Sequence, residues 1–237
     1  MTAKAVVVGA GGGIGAAVAR ELAVRDYAVH TVSRSQVSVE GCGGQHWCSD
    51  YSESSIDAVA QAIAESPGSL ERLVITNGIL HGEGFRPERA LEHIDAGVAQ
   101  EIFQVNTLLP MRWLAAFSGA LKQADLPRIA VLSARVGSID DNRLGGWYSY
   151  RASKAALNMM LKSASVEFSR RNKRAQLIAF HPGTVDTALS EPFQRGVPED
   201  KLFSPSFVAQ RLTGLMDEVP TSGDLLYLDW DGKPIPY

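Results

Sequence analysis

Two spacings of hydrophobic residues alternate along the chain. Short runs of consecutive apolar residues are typical of strands buried on both faces, and longer segments with apolar residues every three or four positions are typical of amphipathic helices. The predicted strands lie at 4–8, 28–33, 45–48, 73–76, 128–133, 176–181 and 225–228. The predicted helices lie at 16–23, 52–65, 94–121, 148–171 and 205–217, and polar loops are predicted at 81–90, 138–146 and 190–203.

This alternation of strands and helices predicts an α/β fold, because parallel strands need crossover connections that are usually helical. No internal repeat, low-complexity tract or linker interrupts it. We therefore expect one doubly wound, Rossmann-like domain over residues 1–237, with about seven parallel strands and helices on both faces. In such sheets a ligand binds beyond the carboxyl ends of the strands.

The segment 94–121 is predicted as one long helix that contains Asn106. Pro110 lies inside it and lacks the N–H that a helix interior needs. We therefore expect a kink at this point, or a water molecule on the free carbonyl group.

Composition excludes several classes of partner. The 237 residues are 45% hydrophobic and 21% charged, with a net charge of −3. This balance predicts neither nucleic-acid nor membrane-surface binding. No apolar stretch is long enough to span a bilayer, and the first residues run directly into a strand, so we expect a cytoplasmic protein. Cys42, His46 and Cys48 do not match a structural zinc pattern, and we predict free thiols and no metal.

The first strand is followed by glycines at positions 9, 11, 12, 13 and 15, and then by a helix. Glycine lets the backbone turn sharply and approach a ligand closely, and the free N–H groups at a helix N-terminus attract phosphate. This strand, loop and helix order predicts a dinucleotide site at Gly9–Gly15.

The end of the second predicted strand favours NADP over NAD. An acidic residue at this place would bind the ribose 2′-hydroxyl of NAD, but the chain has Ser33 and Arg34. A guanidinium suits a 2′-phosphate. The alternative interpretation is a solvated arginine at a strand end, and NAD stays possible as the cofactor.

Further candidates lie at the ends of the other predicted strands. They are Asp50 and Tyr51, Asn77 and Gly78, Ser133, and the segment 182–187. Because the carboxyl ends of parallel strands meet at one edge of the sheet, we expect all of these residues to line one crevice.

Tyr150 and Lys154 are four residues apart in a predicted helix, so their side chains lie on one face. A phenol loses its proton near pH ~10, and a cation a few ångströms away favours the phenolate. The spacing therefore predicts a pair in which Lys154 lowers the pKa of Tyr150 and makes it a general acid and base.

In the order and spacing of these motifs, the chain resembles the short-chain dehydrogenase/reductase family over nearly its whole length. The matching positions are the cofactor loop Gly9, Gly13, Ile14 and Gly15, the helix residue Asn106, the pair Tyr150 and Lys154, and the segment Pro182, Gly183, Val185 and Thr187. Residues 135–139 and 145–158 resemble the C-factor and small carbonyl-reductase-like branch of the family.

The resemblance implies a role for each residue. Tyr150 exchanges a proton with the substrate oxygen, Lys154 also binds the nicotinamide ribose, and Asn106 holds a water that links Lys154 to solvent. Asp50 meets the adenine, while Thr187 and the Val185 backbone meet the carboxamide. A serine near the end of strand five orients the substrate carbonyl.

The chain departs from the family pattern at three places. Val8 replaces the usual threonine before the glycine loop, and 75–78 lacks the first two asparagines of the family motif. The usual pair of serines after strand five is Ser133-Ala134. Because one step along a strand reverses the side chain, Ser133 can serve only where the strand has bent, and Ser138 is a more remote alternative.

Two functional hypotheses follow. The first is an NADP-preferring oxidoreductase that interconverts a carbonyl and a secondary alcohol on a small molecule. The second is a cofactor-binding sensor or C-factor-like signalling protein with little turnover, which Ala134 motivates. A phosphate-loop NTPase is not supported, because no Gly-Lys-Ser/Thr follows the glycines. A homodimer or homotetramer through the long helices is a further possibility.

Overall fold

A computed structural model describes residues 3–37, 39, 42 and 44–237. The strands are, in chain order, β1 Lys4–Val8, β2 Ala28–Ser33, β3 His46–Cys48, β4 Leu70–Ile75, β5 Arg128–Leu132, β6 Gln176–His181, β7 Thr184–Val185, β8 Leu202–Phe203 and β9 Leu226–Asp229. The helices are α1 Gly13–Val24, α2 Glu53–Glu65, α3 Ala96–Phe103, α4 Leu109–Gln123, α5 Tyr148–Arg171 and α6 Pro205–Glu218.

Seven strands form a parallel sheet in the order β3-β2-β1-β4-β5-β6-β9. The strand order reverses between β1 and β4, so the connections from these two strands leave in opposite directions. A crevice opens where they separate, at the carboxyl end of the sheet. The predicted doubly wound α/β fold is confirmed.

Both faces of the sheet are buried, which explains the continuous apolar runs. In β1, Val6 and Val8 pack into the core formed with α2, α4 and α5. Ala5 and Val7 pack into the opposite core, formed with α1 and α6. Among the described residues, no helix has the length and apolar character needed to cross a bilayer.

The prediction of one helix over 94–121 is wrong. After a short turn at Leu91–His93, α3 ends at Phe103, the chain widens into a π-helical turn at Gln104–Leu108, and α4 begins at Leu109. Within this turn the N–H of Leu109 bonds to the carbonyl of Gln104, five residues back. Pro110 lies in the first turn of α4, directly after this π-helical turn, and the first turn is where a helix tolerates proline best.

The segment 190–203, predicted as a loop, contains local structure. It forms two short 3₁₀ turns, Glu191–Phe193 and Glu199–Lys201, and ends in β8. β8 pairs in parallel with β7 and so brings this segment back over the residues that follow β6. Gly183 allows the approach, because a Cβ there would lie 2.7 Å from the Phe203 ring.

Candidate active site

Two adjacent cavities open along the carboxyl ends of the strands. The glycine-loop cavity has a volume of about 500 Å³, and its lining includes Gly9, Gly11, Gly12, Arg34, Tyr51 and Asn77. The tyrosine cavity has a volume of about 320 Å³, and its lining includes Ile14, Ala134, Trp147, Tyr150, His181 and Phe193. Gly12 lines the first cavity and Ile14 the second, so the two are adjacent at the start of α1, and the strand-end candidates line one or the other with the exception of Asp50.

The glycine loop is tightly packed against the end of β4. Gly9 has a left-handed backbone with φ +89°, and a Cβ there would lie 2.4 Å from Thr76 Oγ1. A Cβ on Gly15 would lie 2.4 Å from the carbonyl oxygen of Gly9. Thr76 donates to the carbonyls of Val8 (2.9 Å) and Gly9 (3.2 Å). Val8 stands where the family usually has a threonine. The Thr76 hydroxyl, at the end of the neighbouring strand, supplies a hydrogen bond to the loop in its place.

The N-terminus of α1 faces this cavity without a side-chain cap. Its N-cap is Gly12, and no side chain bonds the first-turn amides. Such amides have no partner within a helix and carry the positive end of the helix dipole. The glycines lining the cavity add no side chain between these donors and a ligand. The arrangement therefore fits the pyrophosphate of a dinucleotide.

Four predicted residues at the ends of β2, β3 and β4 line the glycine-loop cavity. Ser33 is buried, and its hydroxyl donates to the Ser35 carbonyl at 2.6 Å. Arg34 is exposed and lines the glycine-loop cavity. Asn77 Nδ2 donates to Tyr51 Oη at 3.2 Å, and both residues line the same cavity. These residues assemble the polar part of the cavity.

Asp50 is not part of the cavity lining. Its carboxylate is exposed and accepts the N–H (2.9 Å) and hydroxyl (2.7 Å) of Ser52, the N-cap residue of α2. The hydrogen bonds from Ser52 lower the pKa of Asp50. Asp50 therefore stabilises the N-cap residue of α2, and its contact with an adenine stays a prediction.

Asn106 lies at the centre of a buried hydrogen-bond cluster behind the cavities. Its amide accepts the N–H of Ile79 at 2.7 Å, donates to the Ile79 carbonyl at 2.8 Å, and donates to Ser153 Oγ at 3.2 Å. Thr107 Oγ1 donates to the Ser153 carbonyl at 2.7 Å. These bonds join the end of β4, the π-helical turn and α5 at the turn that carries Tyr150 and Lys154.

Gly78 separates the cluster from the glycine-loop cavity. A Cβ at this position would lie 3.5 Å from Asn106 Oδ1 and 3.6 Å from Lys154 Nζ. Gly78 itself lines the cavity. The absence of a side chain therefore brings the buried ammonium and amide close to the space where a ligand would lie.

Tyr150 and Lys154 lie together, as the spacing predicted. Tyr150 is 8% exposed and lines the tyrosine cavity, and its ring packs with Leu80 and Ala134. Lys154 Nζ lies 5.9 Å from the centre of the Tyr150 ring and donates to the Leu132 carbonyl at 2.9 Å. Lys154 is 2% exposed.

The expected lowering of the tyrosine pKa is not found in the structure. Burial raises the pKa of Tyr150, and the nearby Tyr227 raises it further. Burial also lowers the pKa of Lys154 to about 8. The reason is that a low-dielectric environment disfavours the charged form of each group. At pH 7 the phenol is therefore protonated and Lys154 is mostly an ammonium.

Ser133 is turned away from Tyr150. Its hydroxyl is buried and donates to Asn158 Oδ1 at 2.7 Å, inside α5. The side chain packed against Tyr150 is Ala134. Ser138, the remoter alternative, is also buried and accepts the N–H of Asp141 at 3.1 Å. Neither hydroxyl bonds to Tyr150.

The segment after β6 forms one wall of the tyrosine cavity. Pro182, Gly183, Val185 and Thr187 all line the tyrosine cavity. Thr187 Oγ1 donates to the Val185 carbonyl at 3.3 Å. A Cβ on Gly13 would lie 3.2 Å from Thr187 Cγ2, so this segment touches the start of α1.

Sequence reasoning missed Glu88, which anchors the start of the helix that carries Tyr150. Glu88 is 5% exposed; its carboxylate oxygens both accept the N–H of Ser149 at 3.3 Å, and one accepts the Ser149 hydroxyl. Its carbonyl accepts the N–H of Trp147 at 2.6 Å. Trp147 has a left-handed backbone and provides no side-chain cap, so Glu88 caps α5 from a distant loop.

The walls of the tyrosine cavity come from two of the three segments expected to form the substrate walls, 138–147 and 188–203. Trp147 comes from the loop before α5, and Leu189 and Phe193 come from the segment after β7. The loop 81–90 instead contributes His81, Gly82 and Phe85 to the glycine-loop cavity. His181 was missed as a lining residue, although its position at a strand end was a usable signal.

We predict that Gly15→Ala disrupts the glycine loop. The new Cβ collides with the Gly9 backbone, which has no flexible side chain to move aside. We expect dinucleotide affinity to fall at least ~10-fold and the free energy of unfolding to fall by about 1–3 kcal/mol. Fluorescence titration with NADPH and urea unfolding measure the two effects.

The matched control is Gly119→Ala in α4, where a Cβ meets nothing within 4 Å. It should leave NADPH affinity unchanged and stabilise the helix by up to ~1 kcal/mol. Equal NADPH affinity in Gly15→Ala and wild type would contradict the tight loop.

We also predict that Glu88→Ala loosens the start of α5. It leaves the Ser149 N–H and hydroxyl without an acceptor in a buried place, at a cost of about 1–3 kcal/mol in unfolding free energy. Glu88→Gln should cost less, because an acceptor oxygen remains. The exposed Glu83→Ala in the same loop is the control, and urea unfolding of all three checks the order. Equal stability of Glu88→Ala and Glu83→Ala would refute the capping role.

The chain matches a family model and several known proteins. The family model described as short chain dehydrogenase matches residues 3–197. The C-signal protein of Myxococcus xanthus is 32% identical over 148 residues, which cover 62% of this chain and 84% of that protein. A 1-hydroxy-2-glutathionyl-2-methyl-3-butene dehydrogenase of Rhodococcus sp. (strain AD45) is 27% identical over 235 residues, 95% of this chain and 98% of that protein.

A solved structure has the same fold. The NADPH-bound carbonyl reductase from chicken fatty liver matches with a TM-score of 0.85 over 100% of both chains, at 22% sequence identity. The family model covers most of the sequence and includes the glycine loop, Asn106 and the Tyr150–Lys154 pair. The protein therefore belongs to the short-chain dehydrogenase family of oxidoreductases.

Proposed function

We propose that this protein is an NADP-preferring oxidoreductase that interconverts a carbonyl and a secondary alcohol on a small, largely apolar molecule, with Tyr150 as the general acid and base. The observation that carries the proposal is the position of Tyr150. Its side chain lines the cavity beside a buried ammonium, next to the glycine loop.

The glycine-loop cavity supports the cofactor assignment. The first-turn amides of α1 would bind the pyrophosphate and Arg34 the 2′-phosphate, while Thr187 and the Val185 backbone would lie at the nicotinamide end. The chicken carbonyl reductase of the same fold was solved with NADPH. When bound, the cofactor supplies the hydride that reduces the carbonyl.

Tyr150 would supply the proton. As hydride adds to the carbonyl carbon, negative charge develops on the oxygen, and a phenol in contact with that oxygen can transfer its proton to it. Burial favours the protonated phenol, which is the form that carbonyl reduction needs.

Lys154 would stabilise the tyrosinate that this transfer leaves behind. Its ammonium lies beside the ring, and attraction between opposite charges is strong in a site with little water. With a pKa near 8, it keeps its charge at neutral pH. Asn106 would hold the water that returns a proton from solvent to this pair.

The walls of the tyrosine cavity support an apolar substrate. Trp147 and Phe193 meet edge to face, with ring centres 5.1 Å apart, and Trp147 also packs edge-on to Tyr150. Leu80 and Leu189 add aliphatic surface. At about 320 Å³, the cavity is at the small end of ligand-binding pockets.

We predict that Tyr150→Phe removes the proton donor without disturbing the cavity. Ketone and aldehyde reduction should fall by about 10²–10⁴-fold in kcat, while the Kd for NADPH stays within about 2-fold. Absorbance of NADPH with a panel of ketones, aldehydes and quinones measures turnover, and fluorescence titration measures binding. Tyr148→Phe, two residues earlier and outside the cavity lining, is the control.

The proposal fails if the wild-type protein binds NADPH tightly but consumes none with any substrate in the panel. It also fails if Tyr150→Phe is as active as Tyr148→Phe.

Cofactor preference has a separate test in Arg34→Asp. The substitution replaces a cation at the cavity rim with an anion, so we expect NADPH binding to weaken on the order of 100-fold and NADH binding only slightly. Arg20→Asp makes the same charge change on the exposed face of α1. Equal loss of both cofactors would remove Arg34 from the 2′-phosphate role.

A second candidate function is a cofactor-binding signalling protein with little turnover. The identity to the C-signal protein of M. xanthus favours it, and so does Ala134 beside Tyr150. In cells lacking the protein, this candidate predicts that Tyr150→Phe restores the phenotype and Gly15→Ala does not. Failure of both variants to restore it would reject the candidate.

A further inference from the structure

We infer that His181 donates the second hydrogen bond to the substrate carbonyl oxygen, opposite the hydroxyl of Tyr150. The inference rests on the proposed function and deepens it. A carbonyl oxygen that gains negative charge away from water needs more than one donor, and each donor of this kind contributes about 10²–10³ in rate.

Most polar side chains that line the tyrosine cavity are already engaged. Ser133 donates to Asn158, and both Thr187 and Ser190 donate to the carbonyl of Val185. Arg135 forms ion pairs with Asp141 and Asp229, each at 3.1 Å. Within the described ranges, the lining donors that remain besides Tyr150 are His181, Thr184 and Trp147.

The alternation of side chains along β6 places His181 on the same side of the sheet as Tyr150. Leu177 and Ala179 pack into the core against α5, while Ile178 and Phe180 pack on the opposite face. His181 continues the first series. Thr184 follows the turn at Pro182-Gly183, and the Trp147 ring forms part of the apolar wall.

The imidazole has a nitrogen available for a ligand. Nδ1 is enclosed and has no partner among the described residues. The ring lines the tyrosine cavity, and we take Nε2 to be the nitrogen that meets a molecule there. Burial lowers the pKa of His181 to about 4, an effect that Arg135 increases and Asp229 opposes. The ring is therefore neutral at pH 7, and it donates when its proton is on Nε2.

Ala134 explains why this donor is needed. It packs against Tyr150 and carries no polar atom, and the neighbouring hydroxyl of Ser133 points into α5. The end of β5 thus offers no side-chain donor at the phenol. The adjacent end of β6, which pairs with β5 up to Leu132 and Phe180, offers His181 instead.

The carbonyl carbon gains a hydride from the reduced nicotinamide, the two π electrons move to the oxygen, and the oxygen takes the proton of Tyr150. The products are the secondary alcohol, oxidised cofactor and a tyrosinate that solvent reprotonates. His181 keeps its proton throughout and only stabilises the developing charge.

The test uses His181→Phe, which keeps a planar ring and removes both nitrogens. We expect kcat for ketone reduction to fall about 100-fold, with the Kd for NADPH within about 2-fold of wild type. His181→Gln places an amide N–H near the position of Nε2 and should recover at least ~10-fold of that loss. His93→Phe, the same substitution at an exposed histidine outside both cavity linings, should change kcat less than about 3-fold.

Two further results separate a donor from a packing role. Adding Ala134→Ser to His181→Phe should restore part of the lost kcat, because it supplies a hydroxyl beside Tyr150. In protein labelled with ¹⁵N-histidine, the Nε2 resonance of His181 should shift when the ketone binds to the NADP⁺ complex, without any turnover.

Unchanged kcat in His181→Phe with an active wild type would overturn this inference and leave the proposed function standing. So would an Nε2 resonance that does not move on ketone binding. A wild type that consumes no NADPH would instead overturn the proposed function.

Discussion

The structure depends on a buried amide. Asn106 bonds to both backbone groups of Ile79 and to Ser153, so one side chain fixes the end of β4 against the helix that carries Tyr150 and Lys154. A buried amide left without partners costs about 1–3 kcal/mol for each lost bond, and this cost restricts the three elements to one arrangement. The π-helical turn at Gln104–Leu108 allows Asn106 to reach both Ile79 and Ser153. Glu88 fixes the first residues of α5 through its bonds to Ser149.

Burial then determines the chemistry. Lys154 lies among protein atoms with the Leu132 carbonyl as its acceptor, and Tyr150 lies beside it under an apolar wall. Desolvation favours the neutral phenol and opposes the ammonium. Charge that develops during the reaction is the only new charge in this space, so fixed dipoles and the ammonium act on it strongly. Because the site holds little water, the imidazole of His181, whose Nδ1 has no partner among the described residues, can also act on this charge.

The sequence predicted the fold and the ligand-binding edge because both follow from local patterns. Apolar runs gave the strands, and the i, i+4 spacing put Tyr150 and Lys154 on one face. The wide turn around Asn106 was missed, because periodicity cannot distinguish a π-helical turn from an α-helix. Glu88 was missed because it contacts Ser149 across 61 residues of sequence. The direction of the Ser133 hydroxyl and the pKa of Tyr150 depend on tertiary packing, which no local pattern contains.

The central claim is that the two cavities form one active site, with the dinucleotide in the glycine-loop cavity and the reacting carbonyl beside Tyr150. A crystal structure with NADP⁺ and an unreactive ketone analogue tests it most directly. The account predicts a pyrophosphate at the N-terminus of α1 and a ketone oxygen within hydrogen-bond distance of both Tyr150 Oη and His181 Nε2. A nicotinamide outside the tyrosine cavity, or a ketone oxygen that contacts neither group, would contradict it.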